Sequence, residues 1–218
     1  MPMAQFFEIH PQNPQPRLIR QAVEIIRAGG VVAYPTDSSY AIGCHIGDKE
    51  ALDRIRRIRK LDKDHNFTLV ARDLSEISSY AKISNEKYRL IKAITPGPYT
   101  FILPATRQVP RRLQHPRRKT VGLRIPDSVI VQALLGELGE PILSSTLIAP
   151  GELLPKSDPQ DIREWLEHFV ELIIDGGLCG LEPTTVVEWV ADTPTVVRVG
   201  KGDVSAFEGD RPVRETRA

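Results

Sequence analysis

The segment Gly29-Gly30-Val31-Val32-Ala33-Tyr34-Pro35-Thr36-Asp37-Ser38-Ser39 constrains the fold of this chain more than any other. Just upstream, Leu18, Ala22, Ile25 and Ile26 recur at helical spacing, which predicts a helix over 17–28 with those residues on its buried face. Two glycines stop that helix, and four apolar residues then predict a buried strand that Pro35 ends. A helix followed so closely by a buried strand calls for a sheet with helices laid on it. The strand gives out into Thr36, Asp37, Ser38 and Ser39, where a loop can present hydroxyls at a cavity rim.

The same change of period recurs along the chain without strict alternation. Strands are predicted over 41–46, 67–71, 99–104, 121–125, 141–147, 170–174, 185–190 and 195–199. Helices are predicted from an Asp48 cap to Leu61, after Asp73, over 85–94, from near Asp127, and from Asp158 or Asp161 to Phe169. In the helix after Asp48, Leu52, Ile55, Ile58 and Leu61 form the core side. One mixed, twisted sheet with helices packed on it is the architecture this pattern implies. The first 16 residues hold four prolines and predict an extended arm, while the stretch after about Ser205 predicts a polar, frayed tail.

Several function classes are disfavoured by what the chain lacks. At 218 residues, with 41% apolar and 26% charged content, it reads as one globular domain with no linker and no repeat. No apolar run approaches the roughly 20 residues a membrane span requires, and no secretory leader is evident, so the cytoplasm is the expected location. Cys44 and Cys179 make neither a bridge framework nor a metal motif; reduced, buried thiols are expected. There is no Walker loop and no dinucleotide fingerprint. The five histidines lie apart, and no pair of acids stands out as an acid/base couple, so no catalytic side chain and no protein metal site is assigned.

A net charge of +1 conceals two basic clusters. Arg54, Arg56, Arg57, Arg59, Lys60 and Lys63 form one; Arg107, Arg111, Arg112, Arg117, Arg118 and Lys119, with His115, form the other. Clustered cations in a near-neutral protein suit an anionic partner such as a triphosphate or an RNA backbone, and a solvated basic face is the competing reading. Strand chemistry points the same way. Ser144, Ser145 and Thr146 interrupt the apolar Pro-Ile-Leu-Ser-Ser-Thr-Leu-Ile run, Arg124 stands within Val-Gly-Leu-Arg-Ile, and Arg198 precedes two nearby glycines. Buried hydroxyls need hydrogen-bond partners, and a buried guanidinium needs an anion. Each hydroxyl could instead bond neighbouring backbone, and each arginine could pair with Asp or Glu. Taken together they indicate an anion-binding cavity.

Seven ordered segments carry a family resemblance from about Pro16 to Gly202: AGGVVAYPTDSSYAIGC, RRIRKLDKDHNFTLVA, TPGPYTFILPAT, VGLRIPD, PILSSTL, EPTTVVEW and VVRVGKG. In these the chain resembles the YrdC/YciO-like family, which includes the threonylcarbamoyl-adenylate synthases, and HNFTLV with SST-Leu is most similar to its YciO branch. The resemblance implies an α/β, YrdC/RibB-like, twisted mixed open sheet with helices packed on it and a large basic cavity. It divides the chain into an arm at 1–15, the YrdC-like domain at 16–202 and a tail at 203–218. In the synthases such a cavity takes ATP, L-threonine and bicarbonate with magnesium, and yields threonylcarbamoyl-AMP and pyrophosphate for tRNA modification. Double-stranded RNA and tRNA are partners implied by the same resemblance.

By position, the resemblance assigns Thr36, Arg124 and Ser144 to the threonine substrate, with Arg124 on its carboxylate. Lys60, Thr120, Thr146 and Arg198 are assigned to the nucleotide. The RNA contacts expected from the basic clusters are Arg56, Arg59, Lys63, Arg117, Arg118 and Lys119. Two family elements differ here. Lys-x-Arg reads Lys60-Leu61-Asp62, and Ser-x-Asn reads Thr146-Leu147-Ile148. An acid replaces a phosphate-binding cation and an apolar chain replaces a hydrogen-bonding one. A synthase-like enzyme, weak or altered in activity, and a non-catalytic RNA-binding paralogue both fit this pattern, as does an enzyme of altered substrate.

Overall fold

The computed structural model describes residues 3–62, 65–189 and 193–207. Its strands are β1 (Gln5–Glu8), β2 (Val32–Tyr34), β3 (Ala41–His45), β4 (Thr68–Val70), β5 (Tyr99–Pro104), β6 (Thr120–Arg124), β7 (Ile142–Thr146), β8 (Leu172–Asp175), β9 (Thr185–Glu188) and β10 (Thr195–Arg198). The helices are α1 (Pro16–Arg27), α2 (Lys49–Arg59), α3 (Leu74–Tyr80), α4 (Asn85–Ile94), α5 (Val129–Leu138) and α6 (Pro159–Leu166). All ten strands join one mixed sheet in the order β1-β8-β2-β3-β7-β4-β6-β5-β9-β10. None of the described helices is long and apolar enough to cross a membrane.

Local chemistry sets most boundaries. Pro16 opens α1, and beyond the Ala28 cap Gly29 takes φ 86°, with its N–H and that of Gly30 returning to Ile26 and Ile25 carbonyls. Asp48, Asp73, Ser84, Ser128 and Asp158 each accept a backbone N–H at the start of their helices. Asp158, not Asp161, is therefore the cap of α6. The chain leaves α2 through Lys60, which takes the left-handed conformation at φ 51°.

Helices cover the sheet unequally. On one face, α1 and α5 bury Ile19, Ala22, Val23, Ile26, Leu134 and Leu135 against Val32, Tyr34, Ala41, Ile142, Leu172 and Ile174. On the other face, α2, α3, α4 and α6 bury Leu52, Ile55, Ile77, Ile91 and Ile162 against Ile42, Leu69, Phe101, Leu123, Leu143 and Ile173. Seventeen buried residues form the first cluster, confined to one end of its face, whereas the second extends beneath almost the whole sheet.

Three expectations need correction. The proline-bearing arm contains a strand: β1 pairs in parallel with β8, Phe6 opposite Ile173 and Phe7 opposite Ile174. Four residues are too short for a periodic signal, and the partner lies 167 residues away in sequence (172 against 5). The buried face of α1 comprises Ile19, Ala22, Val23 and Ile26, so Leu18 and Ile25 lie at its margins. The polar stretch after Ser205 begins with a 3-10 turn, and the Phe207 ring packs 6.2 Å from both Tyr99 and Trp189. The remainder of the expected tail, 208–218, lies outside the described residues. Cys44 is buried and Cys179 half-buried, both free thiols.

Candidate functional site

The cluster beneath α1 and α5 reaches Ile142 of β7 and Val70 of β4, and beyond them the same face continues along those strands and across β6, β5, β9 and β10. Cross-strand register identifies the side chains on it. Thr68 lies opposite both Ser144 and Gly122, Val70 opposite Arg124, Ile102 opposite Gly122, and Val186 opposite both Thr100 and Arg198. With period-two alternation, one row presents Ser144, Thr146, Thr68, Thr120, Arg124, Thr100 and Arg198 to the same side. They line a cavity of about 290 Å³, its wall completed by Arg59, His65, His115, Arg118, Ser145, Ile148 and Thr184. Among the described residues, none that lines it is a carboxylate.

Arg124 is 8% exposed and held from behind by the loop after β2. Its Nη2 donates to Thr36 Oγ1 (3.2 Å) and Ser38 Oγ (2.9 Å) and pairs with the Asp37 carboxylate. Thr36 in turn donates to the Ser39 carbonyl at 2.6 Å and receives the Ser38 and Ser39 N–H groups. Both readings of Arg124 thus hold together: it pairs with an acid and it faces the cavity. Thr36 braces that arginine and is not part of the cavity wall. Asp37 Oδ2 and Arg124 Nε are buried without a partner among the described residues.

At the opposite end, Arg198 donates Nε and Nη2 to the Thr184 carbonyl at 3.1 and 2.9 Å, and Thr184 Oγ1 meets Thr100 Oγ1 at 2.9 Å. Burial, with Arg124 nearby, lowers the Arg198 pKa. Ser144 accepts the Tyr34 hydroxyl at 2.7 Å, and burial pushes that phenol up to about 12, so it remains a donor. Burial likewise raises Cys44 to about 12 and Cys179 to about 11, leaving neither thiol as a nucleophile near neutral pH.

The first basic cluster is divided by the end of α2. Arg59 turns inward, donating Nε to the Ile148 carbonyl at 3.2 Å and Nη1 to Ser145 Oγ. Lys60, assigned to the nucleotide, instead lines a separate groove with Arg54, Arg57, Ile58, Pro150, Trp165 and Phe169. The left-handed turn at Lys60 sends consecutive side chains apart, which is the physical reason for this correction. Arg56 pairs with Asp53 at 3.2 Å and lies 5.5 Å over the Phe67 ring. Lys63, assigned to RNA, lies outside the described residues.

In the second cluster, Arg117, Arg118 and Lys119 are exposed on the loop that borders the cavity. Arg118 pairs with Glu188, Lys119 Nζ reaches the Pro116 carbonyl at 2.7 Å, and Arg112 bonds the Gly47 carbonyl at 2.8 Å. Among the predicted site residues, the cavity wall therefore contains Arg59, Arg118, Thr120, Arg124, Ser144, Thr146 and Arg198. The sequence reading missed His65, Thr68, Thr100 and Thr184 as wall residues. A threonine inside the otherwise apolar runs Tyr-Thr-Phe-Ile-Leu-Pro and Phe-Thr-Leu-Val, and the Thr184-Thr185 pair at a strand start, were the available signal for the threonines; His65 had none.

Comparison with known proteins agrees with this fold. The family model Sua5_yciO_yrdC, described as telomere recombination, matches residues 24–200. The crystal structure of Escherichia coli YciO superposes with a TM-score of 0.90 at 58% identity, covering 94% of this chain and 100% of that one. A threonylcarbamoyl-AMP synthase of Vibrio vulnificus is 30% identical over 72% of this chain and 86% of its own length. P. abyssi Sua5 complexed with L-threonine superposes with a TM-score of 0.80 at 26% identity, covering 90% of this chain and 58% of that one.

Proposed function

The chain belongs to the Sua5/YciO/YrdC family, and from that premise we propose that its cavity binds ATP, L-threonine and bicarbonate for synthesis of threonylcarbamoyl-AMP. The observation that carries this reading is the open half of the sheet, where Arg59, Arg124 and Arg198 converge with the strand-borne or strand-flanking hydroxyls of Thr68, Thr100, Thr120, Ser144, Ser145, Thr146 and Thr184 and, among the described residues, no carboxylate. Such a wall suits anions at both ends of a substrate pair. Arg124 takes the amino-acid carboxylate, in keeping with a Sua5 relative that holds L-threonine. Arg198 and Arg59 take phosphate oxygens, and Thr100, Thr120, Thr146 and Thr184 supply neutral donors between them.

In this reaction the threonine amine captures bicarbonate, water leaves, and a carbamate oxygen attacks the ATP α-phosphorus as pyrophosphate departs. Positioning and charge stabilisation suffice for these steps, and no side-chain nucleophile is needed. A wall without carboxylates offers magnesium few ligands of its own, so the ion enters as the metal–ATP substrate on phosphate oxygens. Arg59 also answers the loss of the Lys-x-Arg arginine at Asp62, because its guanidinium enters the cavity from the preceding helical turn. The test is pyrophosphate release with ATP, L-threonine and bicarbonate together, omitting each in turn. Release requiring all three is expected; no release and no calorimetric binding of ATP or threonine by high concentrations of protein overturns the proposal.

A second reading has its own supporting observation. Arg117 and Lys119 stand exposed on the loop whose His115 and Arg118 border the cavity, which suits a tRNA or double-stranded RNA backbone passing the mouth. RNA affinity that falls steeply with salt, and falls again when Arg117, Arg118 and Lys119 are neutralised together, is expected. Salt-independent or absent binding overturns it.

A further inference from the structure

Past Ser144, strand β7 pairs on one side only among the described residues. Its pairing with β4 runs from Ile142 to Ser144, while its pairing with β3 continues through Ser145 and Thr146. Arg59 from the end of α2 and His65 from the segment before β4 both reach Ser145 beside this gap. A guanidinium only donates, so Ser145 Oγ accepts from Arg59 Nη1. The direction of the 3.0 Å contact with His65 Nε2 follows the imidazole tautomer: with Nε2 bare, it accepts the Ser145 proton. That requires a neutral imidazole carrying its proton on Nδ1.

We infer that His65 and Ser145 are positioning residues, a relay that orients Arg59 toward nucleotide phosphate at the mouth of the gap. The inference rests on the cavity being a nucleotide site. Arg59 is anchored at two of its nitrogens, Nε on the Ile148 carbonyl and Nη1 on Ser145, and Nη2 has no partner among the described residues. A guanidinium held at two points gives up less side-chain freedom when a phosphate arrives. Around His65 the groups are Arg59, Arg56 and Asp62, with the Phe67 ring edge-on at 5.2 Å. Burial first, then the two arginines, lowers its pKa to about 4, which keeps the ring neutral at pH 7, the state in which Nε2 can accept. A cationic His65 would reverse the hydrogen bond and place a second positive charge against Arg59.

The experiment compares His65→Leu and His65→Gln with the unmodified protein by calorimetric titration of MgATP and, separately, of L-threonine. A glutamine carbonyl can accept the Ser145 proton and leucine cannot. His65→Leu is expected to weaken ATP binding about 10-fold, the scale of one lost hydrogen bond within a charged network, with threonine affinity unchanged. His65→Gln is expected to recover to within about 3-fold. Equal ATP affinity in all three proteins overturns the relay, as does equal weakening in both variants or parallel loss of threonine binding. If the unmodified protein itself binds no ATP, the nucleotide reading fails. The relay then stands or falls on the ¹⁵N signals of His65 at pH 7, where a protonated Nε2 overturns it and a bare Nε2 supports it.

Discussion

One face of the ten-stranded sheet has two halves built from the same kind of strand, and they differ in what lies over them. Beneath α1 and α5, the row formed by Leu172, Val32, Tyr34, Ala41 and Ile142 is apolar and buried. Farther along, the same face continues as Ser144, Thr68, Arg124, Thr120 and Arg198 around an open cavity. The two halves meet within single strands: in β7, Ile142 lies under the helices while Ser144 and Thr146 face the cavity. Helix coverage, more than strand propensity, decides which half becomes core and which becomes a site. Water that the helices exclude from one end must be met by hydroxyls and guanidinium groups at the other.

The largest effects should separate the halves. Ile26→Ala removes a fully buried side chain from the covered half and should cost about 3–4 kcal/mol, read as a lower urea midpoint at unchanged slope. Thr120→Val in the open half should change stability by less than about 1 kcal/mol while weakening ATP binding. A comparable loss of stability in Thr120→Val would break the contrast.

Next comes the ion pair at the boundary of the open half. Asp37→Ala leaves Arg124 nine-tenths buried without its carboxylate and should cost about 3 kcal/mol. Saturating L-threonine should restore part of it, because a ligand carboxylate replaces the missing charge. Thermal melts with and without threonine check this; an unchanged melting temperature in the variant would remove Arg124 as a centre of uncompensated charge. Arg124→Ala should lower threonine-dependent pyrophosphate release at least about 100-fold, close to 3 kcal/mol of lost transition-state stabilisation.

A smaller effect is expected from acid. Folding depresses the His65 pKa from 6.5 to about 4, so the unfolded chain binds the extra proton in that window. Stability is therefore present above pH 6.5 and lost as pH falls toward 4. The loss should be about 1–2 kcal/mol after screening of this partly exposed ring, and absent in His65→Gln. Chemical unfolding of both proteins at pH 7 and pH 4.5 measures the difference. The smallest effect is expected from Tyr34→Phe, which deprives Ser144 of its buried donor and should cost about 1 kcal/mol.

Much of this was legible in the chain. The span of the helix after Ser84 and that of the strand Tyr99–Pro104 follow from period and punctuation alone. Arg124 and Arg198 announced themselves because a cation inside an apolar strand needs an anion. The family, too, was readable from seven ordered segments, and the match over residues 24–200 agrees with it. Periodicity could not reveal β1, whose four residues become a strand only because β8 offers them an edge.

Apart from β1, the amino-acid sequence by itself determined which stretches form helices and strands, and which strands carry hydroxyl and guanidinium groups, because period, capping and burial cost act locally. Tertiary structure alone decided that the cluster beneath α1 and α5 ends at Val70 of β4, that Arg59 enters the cavity while Lys60 turns away, and that His65 meets Ser145 from 80 residues distant. These depend on strand order, and strand order is set by long-range pairing that no local pattern encodes.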